Sequence, residues 1–461
     1  MMEALALIDF GSTNTKVTAV DPEGGLLLGT AAAFTTVETD IGEGLAEALN
    51  RLTRRAGPLR FIRRLACSSA AGGLRMITSG LVPALTAEAA RLASLGAGAK
   101  VVKVYSYQLT GEDVAEIASL KPDIFLLAGG MDGGNRESII HNAGMLAACP
   151  ASFPVLIAGN RTAAAECERL LAGREVITCP NVMPRLDQLN IEPVQDQIRR
   201  LFLKHIIHAK GLSREEELIS GILMPTPSAV KRAVELLSEG TGRRRGLGEL
   251  AAVDLGGATT DVYSVARGLP KGDTVILKGL PEPVSKRTVE GDIGMRYGAG
   301  GVLAAAGAEK LAALSGLPAA EVAPRVAFLE ANPAAVPGTP EEAALDYALA
   351  SAAVDIAVTR HAGTVEQVYT PSGPAFVQSG KDLTGVSRLI LTGGAVIHTP
   401  RAEEIAAHAL YSRGNPASLR PAAAKVYIDR SYILAAMGLL AGEYPEMALS
   451  IIKKELAVYG N

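Results

Sequence analysis

Apolar residues run along this chain in short blocks, each ended by glycine, serine, threonine or asparagine. The block Ala4 to Ile8 leads through Asp9 into a turn of small residues, and a second β-rich run follows from Lys16 to Val20. Near the middle the pattern returns as Glu249 to Val253, Asp254, the pair Gly256 and Gly257, then Asp261 to Val265. These runs are too short for helices and rich in residues that suit a pleated surface, so they predict strands joined by hairpin turns. Aligned, LALIDFGSTNTKV and LAAVDLGGATTDV each place an aspartate at a strand's C-terminal end before a Gly/Ser/Thr turn. The copies lie a domain's length apart, which marks an internal duplication.

Further strand–helix units fill the interval. Arg64 to Cys67 leads into Ser68 to Gly73, and Asp123 to Ala128 into Gly129-Gly130-Met131-Asp132-Gly133-Gly134-Asn135. Pro154 to Ala158 leads into Gly159-Asn160-Arg161-Thr162, with a helix from Ala163. This is the grammar of an α/β fold. Val194 to Ile207 carries apolar residues on one helical face. Lys204 to Pro227 reads as a connector, and Ala319 to Glu342, rich in Pro and Ala, as an exposed helical excursion or loop. Arg388 to Leu391 is the last strong strand, closed by Thr392 to Ala395. The pattern divides the chain into residues 1–248 and 249–461.

Composition sharpens this picture. With 461 residues, 48% hydrophobic and 20% charged, the chain is folded and long enough for two or three domains. Aromatics are only 4% and tryptophan is absent, so the core rests on Leu, Val, Ile and close Ala/Gly packing, which suits helices on a mostly parallel sheet. A net charge of −3 supplies no basic field for nucleic acid. Cys67, Cys149, Cys167 and Cys179 lack CxxC spacing and read as reduced and structural. The start MMEALALIDF is too short and acidic for a signal peptide, and no apolar run reaches the roughly 18–20 residues of a spanning helix. A soluble cytoplasmic protein without a membrane partner is expected.

The turns carry the candidate chemistry. Small residues let backbone N–H groups approach a phosphate, and Ser and Thr hydroxyls add donors. The first turn offers Gly11, Ser12, Thr13, Asn14, Thr15 and Lys16; the second offers Gly256, Gly257, Ala258, Thr259 and Thr260. Asp9 and Asp254 are opposed carboxylates suited to Mg²⁺. Either turn alone is an ordinary hairpin, but the repeat suggests two grips on the phosphates of one nucleotide. Lys16 is the weakest member, because strand lysines usually point to solvent. No P-loop, GxGxxG after a strand or HExxH is present, and His205 and His208 have no further ligand clustered with them.

In order, these segments resemble the actin, sugar-kinase and DnaK-type chaperone ATPase superfamily. Asp9 to Thr15 resembles its first phosphate motif and Asp254 to Asp261 its second. Asn160 to Ala165 resembles the first connecting motif, Leu391 to Ala395 with Gly393 and Gly394 the adenosine motif, and Tyr432 to Leu440 the second connector. Within the superfamily the chain is similar to the glutamate mutase accessory proteins of the MutL/GlmL type, on Ser68 to Leu74, Leu127 to Asn135, Val289 to Arg296 and Asp429 to Leu440.

The resemblance implies an α/β fold of duplicated RNase H-like domains with a nucleotide cleft between them. It implies ATP/ADP and Mg²⁺ as cofactors, an adenosylcobalamin-dependent mutase subunit as partner, and ATP-dependent reactivation of that mutase. The Asp-x-His-x-x-Gly corrinoid signature is absent, so no direct cobalamin binding is expected. By the same resemblance Glu290 or Asp292 reaches ribose or Mg²⁺, with helix capping an equal alternative. Arg296 could point either way. Asn160 falls where the chaperones carry a water-activating glutamate, and an amide cannot take that proton, so a slow ATPase is expected unless Asp132 or Asp254 substitutes. A small-molecule kinase and a nucleotide-bound scaffold remain alternatives on the same fold. Partner contact is expected at Leu186 to Pro227 and Ala319 to Glu342, the stretches least explained by the shared fold.

Overall fold

A computed structural model describes residues 2–35, 41–69, 74–186, 188–209, 222–272, 274–370 and 373–458. Residues 70–73 of the Ser68–Leu74 segment, and 187 and 210–221 of the expected connector and partner-contact stretch, lie outside the described residues.

The N-terminal apolar block forms β1 (Met2–Phe10), which turns into β2 (Asn14–Val20) and on to β3 (Leu27–Phe34), all antiparallel. β4 (Leu59–Ser68) lies parallel on the other side of β1. The chain then leaves this sheet to build a second one, wholly parallel, from β5 (Arg75–Gly80), β6 (Lys100–Ser106), β7 (Ile124–Leu127), β8 (Val155–Ile157) and β9 (Val176–Thr178), in the order β6-β5-β7-β8-β9. It returns as β10 (Ile222–Pro225), parallel to β4.

The second half repeats the plan. β11 (Leu250–Leu255), β12 (Thr260–Val265) and β14 (Ser285–Glu290) are antiparallel neighbours; β17 (Arg388–Thr392) and β18 (Lys425–Ile428) follow in parallel, and β19 (Ala457–Val458) closes the sheet. β13 (Val275–Lys278), β15 (Thr364–Thr370) and β16 (Gly373–Ser379) form a small separate sheet. Counting each main sheet's own strands in chain order, both run third–second–first–fourth–fifth, with β19 a sixth strand at the edge of the second. That is the RNase H-like order, present twice as expected. The inserted parallel sheet was not legible as a sheet of its own: its strands are locally marked, but which strands pair is a non-local matter.

Five helices position the site: α1 (Glu88–Gly96), α2 (Thr226–Glu239), α3 (Ala308–Ser315), α4 (Pro340–His361) and α5 (Leu434–Leu440). The excursion at 319–342 is mostly helix, Ala319–Ala331, and the 194–207 stripe lies in the helix Glu192–Ala209. Between the two main sheets lies a shared apolar layer in which Leu5 and Leu7 of β1 and Leu250 and Ala252 of β11 meet α2 and α5. The helices cross closely: a Cβ on Gly438 of α5 would stand 1.8 Å from the Ala229 carbonyl of α2, so only glycine fits. Alternate residues face outward, Ala4, Ile8 and Phe10 into one core and Ala251, Val253 and Leu255 into another. Strand alternation therefore aims Asp9, in phase with Leu5 and Leu7, and Asp254, in phase with Leu250 and Ala252, toward the middle layer. Among the described residues no helix is long and apolar enough to cross a membrane, and the four cysteines are free.

Candidate functional site

The two hairpins match residue for residue. Asp9 lies opposite Lys16 and Phe10 opposite Thr15; Asp254 lies opposite Asp261 and Leu255 opposite Thr260. Gly11 N–H donates to the Asn14 carbonyl at 3.1 Å, and Gly256 N–H to the Thr259 carbonyl at 2.9 Å. The turns face each other. A Cβ built on Gly257 would lie 3.4 Å from Thr13 Oγ1, and that hydroxyl oxygen is buried without a hydrogen-bond partner. Ser12 and Asn14 are exposed, while Ala258 is half-buried at the turn. The hydroxyls of Thr15 and Thr260 are engaged internally, with Thr35 Oγ1 at 3.1 Å and the Ile293 carbonyl at 2.9 Å. Thr259 Oγ1 donates to Asp261 at 3.3 Å.

Lys16 does not extend to solvent. Its Nζ lies 3.1 Å from Asp9 Oδ2 and 3.6 Å from the centroid of the Tyr432 ring. Pairing with Asp9 in register on an inner strand overrides the usual preference of a strand lysine. Burial disfavours its ammonium, but Tyr432, Asp9 and Asp254 outweigh this and raise its pKa above the ordinary lysine value. Asp9 Oδ1 accepts a hydrogen bond from Thr226 Oγ1 at 2.6 Å and from the Cys67 thiol at 3.6 Å. Asp254 is pushed up to about 7, chiefly by burial; Lys16 opposes the shift, and Asp261, Asp9 and Asp429 add to it. An acidic group of this kind is charged most readily when a cation stands beside it.

The loop after β14 supports the second turn. Met295 N–H donates to the Gly256 carbonyl at 3.0 Å and Arg296 N–H to Gly257 at 2.8 Å. The Arg296 guanidinium grips Asp346 of α4 with two bonds, at 3.0 and 2.9 Å. Glu290 pairs with Arg360, and Asp292 is exposed. Gly393 has φ 113°, and a Cβ there would meet the Leu255 carbonyl at 2.2 Å, so strand packing alone demands glycine. Gly394 has open space where a Cβ would stand.

Asn160 is placed elsewhere. It lies in the turn after β8 of the inserted sheet, fully buried. Its Oδ1 accepts from the Gly133 and Thr162 N–H groups, and its Nδ2 donates to the Gly134 and Asn135 carbonyls, at 3.0–3.2 Å. Asp132, in the same loop, accepts from Arg161 N–H and Asn181. The connector alignment is therefore corrected: Asn160 pins the Gly129–Asn135 loop, and the helix that enters the site after the fifth strand is α2, starting at Thr226. Any α/β unit offers a strand, a glycine, a polar residue and a helix, which is why the local pattern misled.

Sequence reasoning also missed Thr226, Asp429, Tyr432 and Arg287. Asp429, 1% exposed, accepts from the Ile433 and Leu434 N–H groups and from Thr392 Oγ1, capping the start of α5. Tyr432 has φ 54°, a left-handed backbone uncommon for its type that presents the ring to Lys16. Arg287 of β14 is buried against Asp261 at 2.6 Å, and its Nη1 donates to the Leu95 and Ala99 carbonyls at the end of α1, each at 2.9 Å. It thereby ties the second hairpin to the inserted sheet. The Thr-Pro pair opening an apolar stripe at Thr226 was a usable signal, and Asp429 and Tyr432 fall in the Asp429 to Leu440 segment that carries the family resemblance, without a role assigned to either.

The residues present fit a magnesium-bound nucleotide. Among the described residues no group of three or more His, Cys, Asp or Glu could hold a metal by itself. Magnesium, however, commonly takes one or two carboxylates and completes its shell with water and phosphate oxygens. Asp9 and Asp254 would supply the acids of such a site, and the unpartnered Thr13 hydroxyl lies 3.4 Å from the place a Cβ on Gly257 would take.

Residues 5–456 match the family described as MutL protein. A curated relative, Protein MutL of Clostridium tetanomorphum, is 47% identical over 459 residues, covering 99% of each chain. Among solved structures, the activator of 2-hydroxyisocaproyl-CoA dehydratase from Clostridium difficile with bound ADPNP aligns over 99% of this chain and 100% of its own, at 11% identity and TM-score 0.32. Gluconate kinase from Lactobacillus acidophilus aligns over 99% and 93%, at 11% identity and TM-score 0.36.

Proposed function

The chain belongs to the MutL protein family, and from that premise we propose that it is an ATP-dependent accessory protein that reactivates an adenosylcobalamin-dependent mutase such as glutamate mutase, in the cytoplasm. The observation that carries the nucleotide part is the pair of matched hairpins, with Thr13 Oγ1 unpartnered opposite Gly257. In this reading Asp9 and Asp254 hold Mg²⁺, the two turns hold phosphates from opposite sides, and Gly394 leaves room for the nucleoside. Bound magnesium would offset the charge that phosphates bring between two carboxylates. Lys16 and Thr226 orient Asp9, and Tyr432 fixes Lys16.

Ligand held by both halves favours their approach, and an equilibrium moves only as far as the ligand distinguishes its states. The crossing of α2 and α5 at Gly438 is the natural pivot, and Arg287 carries the movement to the inserted sheet. Hydrolysis is slow in this scheme, because both carboxylates serve the cation and neither is left to act as the base. Partner contact is assigned to Leu186 to Pro227 and Ala319 to Glu342. The test is a pull-down from native lysate of the source organism, with and without Mg-ATP. Nucleotide-dependent recovery of a corrinoid mutase is the expected result; its absence, alongside ATP-dependent phosphorylation of a metabolite, contradicts the reading.

A further inference from the structure

The second half carries a cavity that the paired turns do not use. Lys310 of α3, Asp355, Thr359 and Arg360 of α4, and Asn415 and Arg420 of the loop before β18 enclose about 370 Å³, within the range of small-molecule sites. Asp346, which holds Arg296 beside the second turn, precedes Asp355 on α4 by about 14 Å at the helical rise. The cavity is therefore distinct from the gap between the turns.

Its charges are layered. Arg420 is buried, 1% exposed, while the side chains of Lys310 and Arg360 are 44% and 52% exposed at the rim. Asp355 is the one acidic residue in the lining, and it is held between Lys310 Nζ and Arg420 Nη1, each at 2.6 Å. Arg420 also donates to the His408 carbonyl at 3.1 Å, but its buried Nε has no partner. Ser418 Oγ, two residues earlier on the same loop, is likewise buried and unpartnered. Glu290, outside the lining, pairs with Arg360, so three cations meet two carboxylates and one positive charge is left over. A buried guanidinium N–H without an acceptor is a donor that a ligand oxygen would satisfy. Thr359 and Asn415 add neutral hydrogen-bonding groups.

We propose that this cavity is a second binding site, independent of the nucleotide, for a small metabolite bearing a phosphate or carboxylate group. The anion meets Lys310 and Arg360 at the mouth and Arg420 at the floor.

The experiment titrates the full chain at constant ionic strength with inorganic phosphate and, separately, with succinate, by calorimetry. Three proteins are compared: the natural chain, Asp254→Asn, and the rim double variant Lys310→Gln/Arg360→Gln, whose exposed positions leave the fold intact by circular dichroism. Saturable binding of one probe per chain is expected, unchanged in Asp254→Asn and weakened at least tenfold in the rim variant. Phosphate binding alone identifies a phosphate-bearing ligand, and succinate binding alone a carboxylate. The proposal is overturned if neither probe saturates, if the rim variant binds like the natural chain, or if Asp254→Asn abolishes binding. Arg420→Gln, if it folds, should lose binding as well.

Discussion

Thr13 and Gly257 stand opposite each other across the two halves, with 3.4 Å between the hydroxyl oxygen and the place a Cβ on Gly257 would take. Sequence positions this distant meet because two copies of one hairpin are aimed into the same layer. The absence of a side chain on Gly257 keeps that space open. Gly257→Val should lower Mg-ATP affinity at least tenfold while moving the melting temperature of the ligand-free protein by only a few degrees. Calorimetry and a thermal melt check the two halves of this statement.

Asp254 gives a pH signature. Its folded pKa of about 7 lies above its ordinary value of 3.8, so the folded state keeps a proton that the unfolded chain releases. Its effect on stability is therefore absent below about pH 4 and becomes a growing cost as pH rises toward and through 7. Asp254→Asn should stabilise the ligand-free protein at pH 8 by about 1–3 kcal/mol, less than the ~4 kcal/mol of a full three-unit shift because the residue is only half-buried. At pH 5 the gain should shrink, as the natural carboxyl is then protonated in the fold. Urea unfolding at both pH values, without nucleotide or divalent cation, measures it. Equal effects at both would show that Asp254 is not the titrating group.

Asn160 separates a structural from a catalytic role. Its amide satisfies four backbone groups of the Gly129–Asn135 region and the turn that follows β8. Asn160→Ala should destabilise by about 2–4 kcal/mol, since buried backbone groups lose their partners, with any ATPase turnover per folded molecule little changed. Asn160→Glu should not accelerate hydrolysis. A folded Asn160→Glu protein with faster turnover would restore the connector alignment that the structure displaces.

Much of this was legible in the sequence, and what was not shares one cause. The Asp9 and Asp254 hairpins are local patterns, so strand, acid and turn could all be read from a dozen residues. Alternation then fixes which way the acids point. Thr226 and Tyr432 reach Asp9 and Lys16 only after the chain has built a whole sheet and returned, and nothing near Lys16 in the sequence announces an aromatic ring above it. The inserted sheet misled for the same reason: β8 and the Asn160 turn look like any strand entering a helix. Gly393 read as a nucleoside contact, yet its φ and its approach to Leu255 already explain it without a ligand.

Arg287 links the second hairpin to the inserted sheet. Arg287→Ala leaves Asp261 buried without its cation and takes the guanidinium from the Ala99 and Leu95 carbonyls, the second of which keeps the Gly98 N–H at 3.0 Å. Removing one partner of a buried pair costs about 3–5 kcal/mol, and the loss should appear in urea unfolding. Hydrogen exchange should quicken at the end of α1 and in β14 more than in the first main sheet. Uniform quickening would mean that Arg287 supports the fold generally rather than joining these two units.

The most direct measurement of the nucleotide account is calorimetric titration of ATP into the natural chain, Asp9→Asn and Asp254→Asn, each with magnesium and with EDTA. One ATP per natural chain is expected, dependent on magnesium and weakened at least tenfold in both variants, whose circular dichroism matches the natural protein. Binding that ignores magnesium, or that survives unchanged in both folded variants, would contradict the assignment of the paired turns.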